Sequence, residues 1–382
     1  MNAPVSLRRV GTLAGAIADQ LRAPAPAAAA LLDLASAAAA LRGVGADVAL
    51  VHINGRSDPW TPAGLFVKQG AAITWLADGD SWIATQRGPH LDPALQLRVR
   101  TGACAPALDG TGPTFTSAAP HEGPLELCSL FPGELRDAGE RVCYDRKMPR
   151  ALFRGGFDVV VAAWPSGSDV GARLAEAAAR DPTGLCGREL ERIRAPIAPP
   201  SGWEPHIHVP LAGLHRRREG EVDVQCRGRA EIVCREARAP LTETLKLRWR
   251  WRMDQLPAKR AEDTLFTHDY MSVAVEFDDG RDLSYHWSVA LPNETSYRCP
   301  LPHWREREWH LVVRSGRTGL GEWHAEERTV AIDRAVAIGG TVPREVVRVW
   351  LIVTCLSVGG EARGSYADIE LTDDNGTAIR VL

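Results

Sequence analysis

The 382-residue sequence contains no CxxC pair, no HExxH, no glycine-rich phosphate loop after a strand and no nucleophile elbow. Those gaps argue against paired-cysteine zinc modules, zincin-type proteases, P-loop nucleotide chemistry and elbow-type serine hydrolases. An excess of one charge is also missing. The formal net charge is −3, which gives no polycation for general nucleic-acid or acidic-membrane binding. No apolar run approaches the ~20 residues that cross a bilayer. The Ala-rich stretch 25–41 is interrupted by Asp33, and Arg8 and Arg9 are not followed by an apolar core with a cleavage site. Neither a membrane span nor a secretory leader is expected.

What is present is an ordinary globular composition, with 45% hydrophobic and 24% charged residues. The eight cysteines include Cys128, Cys226, Cys234 and Cys355 inside apolar or alternating runs. There a thiol behaves as a small buried hydrophobe, so free thiols and a reducing, cytoplasmic location are expected. Cys226 and Cys234 are expected to face each other across a hairpin as core thiols.

The chain alternates short runs rich in Val, Ile, Leu and Trp with Gly, Pro, Asp and Ser. This pattern predicts antiparallel sandwiches. The fold expected is mainly β, with two jelly-roll-like β-sandwiches. Residues 1–45 form an amino-terminal helical segment, 46–165 the first sandwich, 166–202 a helical and Pro-rich linker, and 203–382 the second sandwich.

One segment carries most of the functional argument. In LKLRWRWRM (245–253), Leu245, Leu247, Trp249, Trp251 and Met253 alternate with Lys246, Arg248, Arg250 and Arg252. Side chains alternate faces along a strand, so one face is core and the other basic. Sorting YMSVAVEF, LSYHWSVAL and SYADIEL in the same way places Tyr270, Glu276, His286, Tyr366 and Asp368 on outward faces. If those strands share a sheet, they join the arginines on one surface. One reading is a solvated face of Arg–carboxylate pairs, each worth about 0–1 kcal/mol. The other is a ligand face, where Arg binds anions bidentately and Tyr supplies stacking area.

The runs LKLRWRWRMDQLP, HDYMSVAVEFDD, LSYHWS, HLVVRSG, EWHAEERTVAIDRAVAIGG and SYADIEL, over about 203–372, resemble the bacterial family called domain of unknown function 3047. The resemblance implies a jelly-roll-like sandwich and no particular activity. Where that family tends to be Asp/Asn/Thr-rich before its last strand, this chain has TCLSVGGEARG (354–364). More weakly, DPWTPAGLFVKQGAAITWLADG, LQLRVRTG, GPLELCSLF and RGGFDVVV resemble the galactophilic lectin A family over about 46–164. Those lectins bind calcium and a sugar through an acidic, amide-rich loop. Here Glu134, Asp137, Glu140 and Asp145 are surrounded by Arg136, Arg141, Arg146, Lys147, Arg150 and Arg154. A hard cation wanting six to eight oxygens is not expected there.

His206 and His208 alternate in PHIHVP and read as polar strand residues before metal ligands. The long segment 287–310 carries Trp304 and several basic residues, as a lid or rim would. The sequence therefore favours metal-free, cofactor-free binding of a glycan or another polar, anionic small molecule. The ligand residues would be Arg248, Arg250, Arg252, Glu276, Asp368 and Trp304. The alternative is a lyase, isomerase or hydrolase with His286, Tyr270 and Tyr366 as proton-transfer groups. A third is a homo-oligomeric assembly protein.

Overall fold

The computed structural model describes residues 32–382 except 57–59, 84–89, 92, 103–106, 109–112, 131–134, 139–140, 145–149, 196–198, 206–214, 219, 228–229, 260, 264–269, 301–303, 356–359, 375 and 377. The expectations placed on 1–31, Glu134, Glu140, Asp145, His206, His208 and 356–359 lie outside the described residues. The protein is mainly β and divides into two compact units, Ala23–Ile197 and Ala198–Leu382. Among the described residues, no helix is long and apolar enough to cross a membrane.

The first unit begins with α1 (Leu34–Gly43), β1 (Asp47–Asn54), β2 (Thr61–Val67), β3 (Ala72–Ile83), β4 (His90–Leu91) and the single turn α2 (Pro93–Gln96). It continues through β5 (Leu97–Thr101), β6 (Thr114–Ala118), β7 (Gly123–Ser129), β8 (Leu135–Ala138), β9 (Arg141–Tyr144) and β10 (Phe153–Ala163), and ends with α3 (Val170–Ala178) and α4 (Leu185–Arg194). One sheet runs β1-β10-β3-β4 with β6 on β3, and a second runs β2-β7-β5. Ile53, Trp75, Phe157, Val159 and Val161 meet Val99, Leu125 and Leu127 between the sheets. On the far side of the first sheet, Leu76, Val160 and Ala162 receive Leu41, Leu174 and Leu190 from the helices. Coverage on both faces explains why β10 reads as a continuous apolar run and does not alternate.

The second unit contains β11 (Glu204–Pro205), β12 (His215–Arg218), β13 (Glu221–Arg227), β14 (Ala230–Pro240), β15 (Lys246–Gln255), β16 (Ser272–Phe277) and β17 (Asp282–Ser288). After these come β18 (Ser296–Arg298), β19 (Glu308–Ser315), β20 (Trp323–Thr329), α5 (Val330–Ala337), β21 (Glu345–Thr354), β22 (Glu361–Thr372) and β23 (Ala378–Arg380). A seven-stranded sheet, β11-β14-β21-β16-β17-β19-β18, faces a six-stranded sheet, β12-β13-β22-β15-β20 with β23 on β22.

The core between these sheets comes from the alternation of β15. Leu247, Trp249, Trp251 and Met253 pack with Val273, Val275, Leu283, Tyr285 and Trp287 of the opposing sheet. The Trp249 and Tyr285 rings lie 5.5 Å apart, and the Trp251 and Trp287 rings 5.9 Å. Removing the 150–250 Å² of one such ring from water stabilises by about 4–6 kcal/mol. That outweighs any exposed ion pair, so the tryptophan face and not the arginine face fixes how β15 sits.

Two sequence expectations are corrected by this architecture. Cys226, on β13, lies in the core between the sheets, whereas Cys234, on β14, lies on the outer side with Ala274, Trp350 and Ile352. They belong to different sheets and do not face each other. The partner of Cys226 is Cys355, which it hydrogen-bonds and whose thiol is held far above its ordinary pKa by that bond and by burial. The second correction concerns β22. Tyr366 is fully buried and opposes Trp251, so it points into the core and not outward with Asp368. The cause is a β-bulge: between Arg248 and Arg250 the register with β22 shifts by one residue, and Asp368 takes a φ of 49°. An extra residue reverses the face of everything beyond it.

Candidate polar site on the seven-stranded sheet

The strands predicted to form one polar surface are divided between two sheets. β15 and β22 carry Arg248, Arg250, Arg252 and Asp368 on the outer side of the six-stranded sheet, while β16 and β17 carry Glu276 and His286 on the seven-stranded one. Alternation assigns a face within a strand but does not say which sheet the strand joins.

On the six-stranded sheet the cations are answered by carboxylates of the same unit. Arg248 donates to Glu327 (2.7 Å), Arg250 to Asp368 (2.6 Å) and Arg252 to Asp254 (2.8 Å). Lys246 also reaches Glu327 at 2.7 Å. These groups are mostly between a third and a half exposed, so the pairs are individually weak. Glu276 does not join them; it accepts from Arg348 at 2.9 Å. Tyr366 donates to the carbonyls of Ser272 (3.2 Å) and Ile352 (3.3 Å). That satisfies a buried hydroxyl and bridges the two sheets. Tyr270 is buried just ahead of β16.

The seven-stranded sheet presents a different surface. Ser272 lies opposite His286, Ala274 opposite Ser284, and Glu276 opposite Asp282. β19 runs parallel to β17, placing Asp282 beside Glu308 and Ser284 beside His310. Tyr297 of β18 lies opposite His310. Val273, Val275, Leu283, Tyr285, Trp287, Trp309 and Leu311 point into the core, so the polar set shares the outer face. An outward polar face is normally wet. Here Ser272, Ser284, His286, Ser288 and His310 are 0% exposed, with Asp282 and Glu308 at 6% and Glu276 at 7%. Ionisable groups are seldom so buried unless paired or functional.

The buried groups are organised around two rings. Tyr297 stacks on His310 with ring centroids 4.8 Å apart and planes at 14°. Its hydroxyl lies 3.3 Å from His286 Nε2, and the His286 and His310 rings meet edge-on at 5.8 Å. At the end of β17, Glu262 accepts from the Ser288 hydroxyl and from the Val289 amide at 2.7 Å. Burial pushes the Glu262 carboxyl up to about 7, against the opposing pull of those two hydrogen bonds. At the other end Arg307 bonds Asp282 (3.4 Å) and lies over the rings of Trp304 (5.1 Å) and Trp350 (5.8 Å). Trp304 is thus a rim residue of this face.

Cys299, Glu308 and His310 also converge here. Each offers one ligating atom, and those atoms all lie within 4.8 Å of one another. Sequence reasoning points to His286 and Trp304 but passes over Glu262, Glu308 and His310. The available signal was the E-x-H spacing of 308–310, which puts both side chains on one face of a strand. Two open surface hollows, of ≈ 460 Å³ around Ser168 and Arg173 and ≈ 430 Å³ around Arg235 and Arg380, are lined by none of these residues.

Residues 214–370 match the family described as protein of unknown function (DUF3047). No curated protein matches the chain. Among solved structures, the amino-terminal domain of EclA, a PllA-like lectin, is 19% identical over 30% of this chain and 94% of its own, with a TM-score of 0.24. The xyloglucanase domain of NopAA, a type three effector from Sinorhizobium fredii, is 9% identical over 46% of this chain and 95% of its own, with a TM-score of 0.29. Likenesses at these scores say nothing of what this chain binds.

Proposed function

We propose that the outer face of the seven-stranded sheet binds a glycan or another polar small molecule. The observation that carries this reading is the row of polar and ionisable side chains held out of water on the outside of a sandwich, capped by the partly exposed Tyr297. Tyr297 supplies a flat ring and a hydroxyl, and His286 fixes the direction of that hydroxyl from beneath. Trp304 and Arg307 add stacking area and a donor at the rim. Such a set pairs with ligand hydroxyls that both donate and accept. The carboxylates facing Arg248, Arg250 and Arg252 remove the need for an anion on the other sheet.

Titration calorimetry against neutral and uronate-containing oligosaccharides tests the reading. Tyr297→Phe and His286→Ala should each weaken binding about tenfold, the equivalent of one hydrogen bond worth ~1.4 kcal/mol. Loss of affinity in Arg250→Ala with none in Tyr297→Phe would move the site to the six-stranded sheet. No heat with any saccharide would end the glycan reading.

A second reading, turnover, is favoured by Glu262. A carboxyl near 7 is suited to proton transfer at neutral pH, and its partner Ser288 is two residues from His286, roughly 7 Å along the strand. Product formation that disappears in Glu262→Gln, with saccharide binding kept, would establish it.

A further inference from the structure

Sequence alone suggests a metal-free protein, but the geometry around His310 points elsewhere. We propose that Cys299, Glu308 and His310 form a zinc-class metal site. The proposal does not depend on ligand binding by the polar face.

The local fold brings the three donors together by ordinary strand chemistry. Glu308 and His310 are two residues apart on β19, so both project from the outer face. Cys299 directly follows β18 and extends that ladder, its amide donating to the Glu308 carbonyl at 3.0 Å. The thiol is therefore held beside the carboxylate by the backbone and not by a mobile loop. Cys299 and His310 are 0% exposed and Glu308 is 6% exposed.

The distances suit a tetrahedral ion. Zn–S near 2.3 Å and Zn–N or Zn–O near 2.0–2.2 Å place ligand atoms roughly 3.4–3.6 Å apart. Glu308 Oε2 and His310 Nε2 are 3.7 Å apart, and all three donor atoms lie within 4.8 Å of one another. Closing the site requires the widest donor pair to approach by up to about 1 Å.

The donor set selects the metal class. One thiolate, one imidazole and one carboxylate suit zinc and its cobalt surrogate, whereas calcium and magnesium take six or more oxygens. Charge supports this choice. A dication bound by a thiolate and a carboxylate is locally neutral, the arrangement that costs least in a buried site. Binding converts Cys–SH plus Zn²⁺ to Cys–S–Zn with release of one proton, so affinity rises with pH. Three protein donors leave the fourth tetrahedral position for water or a ligand atom.

The test uses the full chain, purified without a metal-affinity tag, loaded with zinc sulfate and dialysed. Elemental analysis should find about one zinc per chain. Cobalt-loaded protein should show a thiolate-to-cobalt charge-transfer band that Cys299→Ser loses and Cys186→Ser keeps. Glu308→Gln should weaken cobalt binding at least about tenfold, and this readout stands if Cys299→Ser does not fold. Zinc that dialyses away, a missing cobalt band in the wild type, a band retained by Cys299→Ser, or unchanged affinity in Glu308→Gln would each overturn the proposal. None of these measurements involves a saccharide, so failure here and failure of glycan binding are separate results.

Discussion

Glu262 shows how much one side chain can make stability depend on pH. Its carboxyl titrates near 7 in the folded chain, above the ordinary value of 4.5. Between those values the folded state holds a proton that the unfolded state has released. Stability therefore falls as pH rises from about 4.5 to about 7, by roughly 3 kcal/mol from this group. Glu262→Gln keeps an acceptor for Ser288 and Val289 and carries no charge. Chemical denaturation of the variant should show a flatter profile through that window and greater stability than wild type at pH 8. Arg250→Ala, by contrast, should change stability by no more than about 1 kcal/mol, because its pair with Asp368 is half-exposed. At this scale the sequence was informative where alternation decides: the buried face of β15 could be named residue by residue. It was uninformative where proximity depends on distant strands. Nothing in CPLPHWREREWH says that Cys299 meets Glu308 and His310, and nothing before the fold marks Glu262 as the partner of Ser288.

The elements show why strand faces were legible and shared surfaces were not. Alternating runs such as β15 declare their inner face, but the sandwich deals β15 and β22 to one sheet and β16 and β17 to the other. The bulge at Asp368 then reversed Tyr366, a change that a period-two reading cannot foresee. The same strand pair contains a tight crossing. A Cβ on Gly364 would meet the Arg252 carbonyl at 2.4 Å and Met271 Sδ at 2.7 Å. Gly364→Ala should therefore destabilise by about 1–3 kcal/mol through overpacking, measured as a lowered denaturant midpoint with an unchanged slope.

The whole molecule has separate cores. Among the described residues, the tryptophan-lined core of the second unit shares no residue with the two larger cores of the first. Trp251→Ala removes a buried ring and a donor to Glu326 at 3.0 Å, a loss of about 3–5 kcal/mol. Calorimetry should show this as a lowered transition for Ala198–Leu382.

The strand order β17-β19-β18 carries a consequence for assembly. β19 follows both neighbours in the chain yet lies between them, parallel to one and antiparallel to the other. It is the keystone of that edge of the sheet. His286 arrives on the strand to one side, Tyr297 and Cys299 with the strand to the other, and Glu308 and His310 on the keystone itself. A sheet lacking this insertion has only scattered donors. The side chains of the polar face are thus brought together only by the finished edge, and the binding proposed for that face waits on β19 taking its place.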